Sequence, residues 1–129
     1  MEEVALRRED GNIVCERCLL AETALTRMRG LLGRRELRSG EGILLKPAPS
    51  VHMWFMRFAI DAVFLDSDMR VVKIAAELKP WRMAGARGAK SCLEIAAGEA
   101  ARRGLSVGDR LVAGSALAPT SPAKAATPS

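Results

Sequence analysis

The sequence predicts a mainly β fold (α+β): a single compact antiparallel β-sandwich or partly closed barrel with two short helices packed at an end. Three observations lead there. Short runs rich in Val, Ile, Leu and Phe recur between turn signals such as Asp10-Gly11, Ser39-Gly40-Glu41-Gly42, Asp66-Ser67-Asp68 and Ser106-Val107-Gly108-Asp109. Only two segments show helical character, and both are too short to serve as crossovers between parallel strands. The 129 residues, 49% hydrophobic and 27% charged, suit one domain able to bury its own core without metal or disulfide staples.

Taken in order, residues 1–11 are charged and end in the Asp10-Gly11 turn. Asn12 to Leu20 reads as a strand carrying Cys15 and Cys18. Side chains alternate along a strand, so cysteines three apart are expected on opposite faces. Thr23 is placed as the N-cap of a helix from Ala24 to about Leu32, with Leu25, Met28, Leu31 and Leu32 on one face and Gly33 as its stop. Ile43 to Lys46 is a short strand that Pro47-Ala48-Pro49 breaks.

Residues 51–66 are the centre of the predicted core. They hold the only His, one of two Trp, all three Phe and two of six Met. Val51 to Met56 alternates between two largely apolar faces, so that strand is expected to be covered on both sides. Phe58-Ala59 is a bend, and Ile60 to Leu65 is a buried strand. Asp66 to Arg70 turns the chain into a hairpin with Val71 to Ala76. Leu78 to Gly88 fits no period and is assigned as a loop, whose Trp81 and Arg82 form a lip. Ala89 to Ala96 is a strand, Gly98 to Arg103 a helix ended by Gly104, and Arg110 to Ala113 the last strand. One domain over residues 1–113 and a disordered Ala/Pro/Ser-rich tail over 114–129 complete the expectation.

Composition narrows the function. A net charge of +5 comes from 20 basic and 15 acidic residues, with a local excess at Arg27, Arg29, Arg34, Arg35 and Arg38 against Glu36 alone. Nucleic acid is disfavoured as a partner, because aromatic residues are 4% of the chain and Tyr is absent, leaving few stacking platforms. No stretch has the length of a membrane-spanning helix, and the acidic, Arg-containing start lacks a signal-peptide apolar region. The expected location is cytoplasmic, consistent with three cysteines rather than pairs.

The segments Arg27-Met28-Arg29-Gly30-Leu31-Leu32-Gly33-Arg34, Glu41-Gly42-Ile43-Leu44-Leu45, His52 to Asp66, Leu93-Glu94-Ile95-Ala96-Ala97-Gly98 and Gly108-Asp109 occur in the order found in a known family. Over about residues 12–113 the chain resembles the DUF192 (UPF0127) family of small prokaryotic domains without an assigned function. The resemblance implies a compact, mainly β domain of sandwich type and supplies no chemistry. It departs from the family pattern at Leu32, where a Met is common, and at Asp68-Met69-Arg70, where a Gly is usual. The second departure implies a different turn geometry.

The polar residues inside the apolar centre are the functional candidates, because burying an unpaired charge is costly. The favoured reading is a binding module with a polar site in an apolar cleft beside residues 51–66, taking a small polar or anionic ligand or an extended peptide. Arg57 serves as anion clamp and Asp61 as orienting acceptor, with His52, Trp54, Met56, Trp81 and Arg82 around them. A structural reading competes: Asp61 pairs with Arg57 or accepts main-chain N–H bonds to fix the bend.

A second functional reading is a small hydrolase-type acid/base enzyme using His52 with Asp61 or Glu94. A third is a basic accessory factor whose Arg27 to Arg38 patch meets nucleic acid. No cofactor is expected. Zinc held by Cys15, Cys18, His52 and Cys92 is disfavoured by the strand placement and the wide separation of the ligands, so the cysteines are expected to be buried and unreactive.

Overall fold

The computed structural model describes residues 2–21, 37–53 and 57–115. Nine strands and one short helix make up these residues: β1 Glu3–Arg8, β2 Ile13–Ala21, β3 Glu41–Leu45, β4 Ser50–His52, β5 Ile60–Leu65, β6 Val71–Leu78, β7 Met83–Gly85, β8 Ser91–Ala96, α1 Glu99–Arg102 and β9 Leu111–Ser115. The expected helix at 24–32 and most of the basic segment 27–38 lie outside the described residues. So do Trp54, Met56 and the tail beyond Ser115.

Seven strands form one sheet in the order β6-β5-β8-β3-β2-β1-β9, and β4 with β7 forms a separate two-stranded ribbon. The large sheet curls until its two edge strands meet. Arg70 and Arg110 form an antiparallel bridge there, flanked by Val71 N–H to Asp109 O (2.8 Å) and Leu111 N–H to Met69 O (2.9 Å). The predicted partly closed barrel is therefore observed.

The sheet is mixed rather than wholly antiparallel. β2 and β3 run parallel from Arg17↔Glu41 to Ala21↔Leu45. Residues 22–40 join them, more than the dozen or so that a parallel crossover needs. Strand β1 was not foreseen, because its charged ends hide the buried pair Ala5 and Leu6. Strand β7 falls inside the segment read as a loop. Strand β6 continues to Leu78, and β9 runs through Gly114 to Ser115.

Two apolar clusters lie on the two faces of the sheet. The inner one fills the barrel with Leu6, Val14, Leu44, Val63, Leu65, Leu93, Ile95 and Leu111, and α1 adds Ala100. The other covers the outer face, where Ile43, Ile60, Ala62 and Phe64 pack under Val51 and Met53 of the β4 segment. Strand β5 is buried along its whole length because it serves both clusters, as the continuous run Ile60 to Leu65 implies.

The turn from β5 to β6 keeps a left-handed residue although glycine is absent. Met69 adopts φ 64, and Asp66 Oδ1 accepts N–H bonds from Asp68 (2.8 Å) and Arg70 (3.0 Å). The carboxylate holds a conformation that glycine adopts freely.

Irregular pairing of β1 with β2 corrects the reading of the two cysteines. Val4 faces Cys18 and Leu6 faces Cys15, so three steps on β2 match two on β1. This β-bulge returns both side chains to the barrel interior, where each is fully buried. The neighbouring Cys15 thiol, followed by burial, raises the Cys18 pKa far above the ordinary thiol range. Such a thiol stays protonated and is a poor nucleophile.

Gly42, opposite Cys18 on β3, makes room for this arrangement. A Cβ there would stand 2.9 Å from Cys15 Sγ, 3.0 Å from the Glu94 carbonyl oxygen and 3.0 Å from Ile95 Cγ2. Gly42→Ala is expected to lower folding stability by about 1–3 kcal/mol through overpacking, read from urea denaturation. Adding Cys15→Ala relieves the sulfur contact alone, so the double variant should recover only part of the loss.

Candidate functional site

The site is built upward from Asp61. Its side chain shares the barrel-interior face with Val63 and Leu65, and it is fully buried. Oδ1 accepts the N–H of Glu77 (2.8 Å) and of Gly98 (3.0 Å), and Oδ2 accepts the N–H of Ala100 (2.9 Å). Each donor comes from a place where the backbone cannot satisfy itself. Glu77 sits at φ 51 in the irregular end of β6, where Ile60↔Leu78 and Ala62↔Ala75 are out of step. Gly98 (φ 88) and Ala100 open α1, whose N-cap glycine has no side chain to accept a bond. One carboxylate thus joins three segments.

Arg57 is exposed, and no ion pair between it and Asp61 is found among the described residues. The main-chain branch of the structural reading is the one observed. Beyond Glu77 the chain runs through Lys79 and Pro80 to Trp81, so Asp61 anchors the base of the segment that carries the predicted lip.

That segment is paired, not free-running. Ser50, Val51 and His52 face Gly85, Ala84 and Met83. The ribbon continues through Met53 N–H to Arg82 O (2.7 Å) and Trp81 N–H to Met53 O (2.8 Å). Val51 and Met53 turn into the outer core, while Trp81 is 64% and Met83 59% exposed. Arg82 is also exposed. Trp81 adopts φ 67, a left-handed conformation that bulky residues rarely take. The Lys73 ammonium of β6 donates to Gly85 O (2.8 Å) and ties the ribbon to the edge strand of the large sheet.

The structure therefore brings the His52 backbone, Trp81 and Arg82 onto one ribbon. It places Asp61 on the opposite side of the large sheet from the ribbon. Glu94 pairs across with Ala62 and Ile43, on the outer face, while Asp61 is on the inner face. The two buried carboxylates therefore lie on opposite faces and cannot flank one bond. Cys92 also belongs to the outer face, away from Cys15 and Cys18, so the four-ligand zinc set is divided between faces. Among the described residues no group of three or more His, Cys, Asp and Glu side chains is placed to hold a metal ion.

An ionic network was missed. Glu99, almost wholly buried, accepts from Arg102 Nε (2.9 Å), Arg103 Nε (2.9 Å) and the Ser39 hydroxyl (3.0 Å), and Arg103 also bonds Glu16 (2.5 Å). The i, i+3 and i, i+4 spacing from Glu99 was the available signal. Burial alone would raise the Glu99 pKa, but the Arg102 bond, the Arg103 charge and the Ser39 hydroxyl together hold it below the ordinary 4.5.

A carboxyl with a depressed native pKa contributes stability above its unfolded pKa and loses it as pH falls through the native value. Urea midpoints of wild type and Glu99→Gln should therefore differ most near neutral pH. They should converge in the acid range below about pH 4.

With this geometry in place, comparison with other proteins identifies the class. Residues 5–113 match DUF192, described as "Uncharacterized ACR", and the chain belongs to that family. It is 29% identical over 111 residues to a UPF0127 protein of Thermococcus sibiricus, covering 82% of this chain and 71% of that one. It is 46% identical over 63 residues to a UPF0127 protein of Pyrococcus furiosus, covering 48% of this chain and 53% of that one.

Two crystal structures share the fold. One is a protein of unknown function from Novosphingobium aromaticivorans DSM 12444 (TM-score 0.72, 30% identity, 85% of this chain and 83% of that chain). The other, from Sinorhizobium meliloti 1021, carries the description "putative transcription regulator" (TM-score 0.74, 28% identity, 87% and 92%). No helix among the described residues is long and apolar enough to cross a membrane.

Proposed function

We propose that this protein is a binding module whose site is the β4–β7 ribbon and its rim, taking a small polar or anionic ligand or an extended peptide. One observation carries the reading: Trp81 is largely exposed and also held at φ 67. Left-handed backbone costs a bulky residue about 1–2 kcal/mol, and such strain gathers where function needs a side chain in one place. Arg82 next to it and the exposed Arg57 supply cations, and Met83 adds a pliable apolar surface. In this reading Asp61 does not touch the ligand; it fixes the segment from which Trp81 projects.

The acid/base alternative has less support, because Asp61 is committed to three N–H donors and Glu94 lies on the other face. The nucleic-acid alternative draws on the Arg27 to Arg38 patch, most of which lies outside the described residues, on the net charge and on the description of the Sinorhizobium protein. It predicts affinity that falls steeply with salt and does not respond to Arg57→Ala.

A thermal-shift screen over sugars, phosphate esters, nucleotides and short peptides tests the proposal, since a ligand that binds the native state raises the melting temperature. A shift seen in wild type and lost in both Arg57→Ala and Trp81→Ala supports it. A shift that survives both substitutions overturns it.

A further inference from the structure

Resting on the ribbon as the binding site, we propose that its ligand is an extended acidic peptide segment of a partner protein, laid along β7. Charge is the first argument. The two limbs of the ribbon, residues 46–53 and 79–90, carry Lys46, Lys79, Arg82, Arg87 and Lys90 and no Asp or Glu. All five cations are exposed. In a chain with 15 acidic residues, a paired element free of them gathers positive potential on one surface. The nearest acid along the chain, Glu77, precedes this run, and its N–H is turned to Asp61.

Spacing is the second argument. The exposed apolar side chains Trp81 and Met83 stand on either side of Arg82, two residues apart. Side chains of an extended peptide repeat every two residues, about 6.6–6.8 Å apart, and point alternately to opposite sides. Successive positions can then meet an apolar surface and a guanidinium in turn. A phosphodiester strand offers charge at each unit and has no counterpart for this alternation. The backbone gives the third argument. β7 has β4 as its one strand partner among the described residues. A strand with a single neighbour offers main-chain groups to an added strand, here apart from the Gly85 carbonyl, which the Lys73 ammonium already holds.

The test is selection of random octapeptides displayed on phage against the 129-residue protein, each selected peptide then being measured on wild type and on Trp81→Ala. Binding constants of the selected peptides are then measured at low and high salt. The expected sequences are enriched in Asp and Glu next to apolar residues. Replacing those acids by Gln or Asn should weaken binding tenfold or more, and Arg82→Ala with Arg87→Ala should remove most of that discrimination. Both arginines are exposed, so circular dichroism of the double variant should match wild type.

Selected peptides that are neutral or basic, but still require Trp81, would overturn the acidic assignment and leave the ribbon as the site. Peptides that bind Trp81→Ala as tightly as wild type would overturn both. Failure to select any peptide, or tighter binding of a single-stranded oligonucleotide or anionic phospholipid vesicles than of the best peptide, would overturn the peptide assignment.

Discussion

Asp61→Ala is expected to lower folding stability by about 3–6 kcal/mol, measured as a fall in the urea midpoint at pH 7. The substitution leaves the N–H groups of Glu77, Gly98 and Ala100 without their acceptor. A buried N–H left unsatisfied costs about 1–3 kcal/mol; the Ala100 bond is buried and those of Glu77 and Gly98 are partly so. Small domains are stable by about 5–15 kcal/mol, so the variant should approach partial unfolding at 37 °C.

Asp61→Asn separates bonding from packing. Its amide oxygen can still accept from Glu77 and Gly98, while its NH2 group would face the Ala100 donor. Its cost should fall between wild type and alanine. Hydrogen exchange should accelerate first at the amides of Glu77, Gly98 and Ala100. A loss below about 1 kcal/mol in Asp61→Ala would refute the pinning role.

Trp81→Gly is expected to separate stability from binding. Glycine adopts φ 67 without the steric cost that tryptophan bears, and the lost indole is mostly in water. The melting temperature should equal or exceed that of wild type. Affinity for any ligand found in the thermal-shift screen should fall at least thirtyfold, as for an aromatic anchor worth about 2 kcal/mol or more. Trp81→Phe should retain part of the affinity. A glycine variant that loses several degrees of melting temperature would instead make Trp81 a packing residue, and unchanged affinity would remove it from the site.

The buried strand β5 and the partners of Asp61 differ in how far the sequence reveals them. The run Ile60 to Leu65 announces a strand buried on both sides, and the isolated acid at Asp61 announces a polar group with a task. Its partners are main-chain N–H groups 16, 37 and 39 residues away, and no side-chain pattern encodes them. The sequence left Arg57 and main-chain N–H groups open as partners of Asp61, and the N–H groups are the ones found.

Cys15 and Cys18 mark a second limit. Alternation assigns them to opposite faces, yet one extra residue in β2 reverses the parity, and a bulge is decided by pairing with β1 rather than by local sequence. Strand β7 was hidden because Met83-Ala84-Gly85 has no β-branched residue and is held by its partner Ser50 to His52. Trp81 and Arg82 were legible as exposed loop residues. The strained backbone at Trp81 was not.

The most direct test of the ribbon as a binding site is amide chemical-shift mapping of 15N-labelled protein, titrated with the strongest compound or peptide from the screens. The account predicts shifts concentrated at residues 50–53, 57 and 79–87 and at the Trp81 indole, with the β1–β9 edge unmoved. Shifts concentrated around α1 and the β1–β9 edge, with the ribbon amides unchanged, would contradict it.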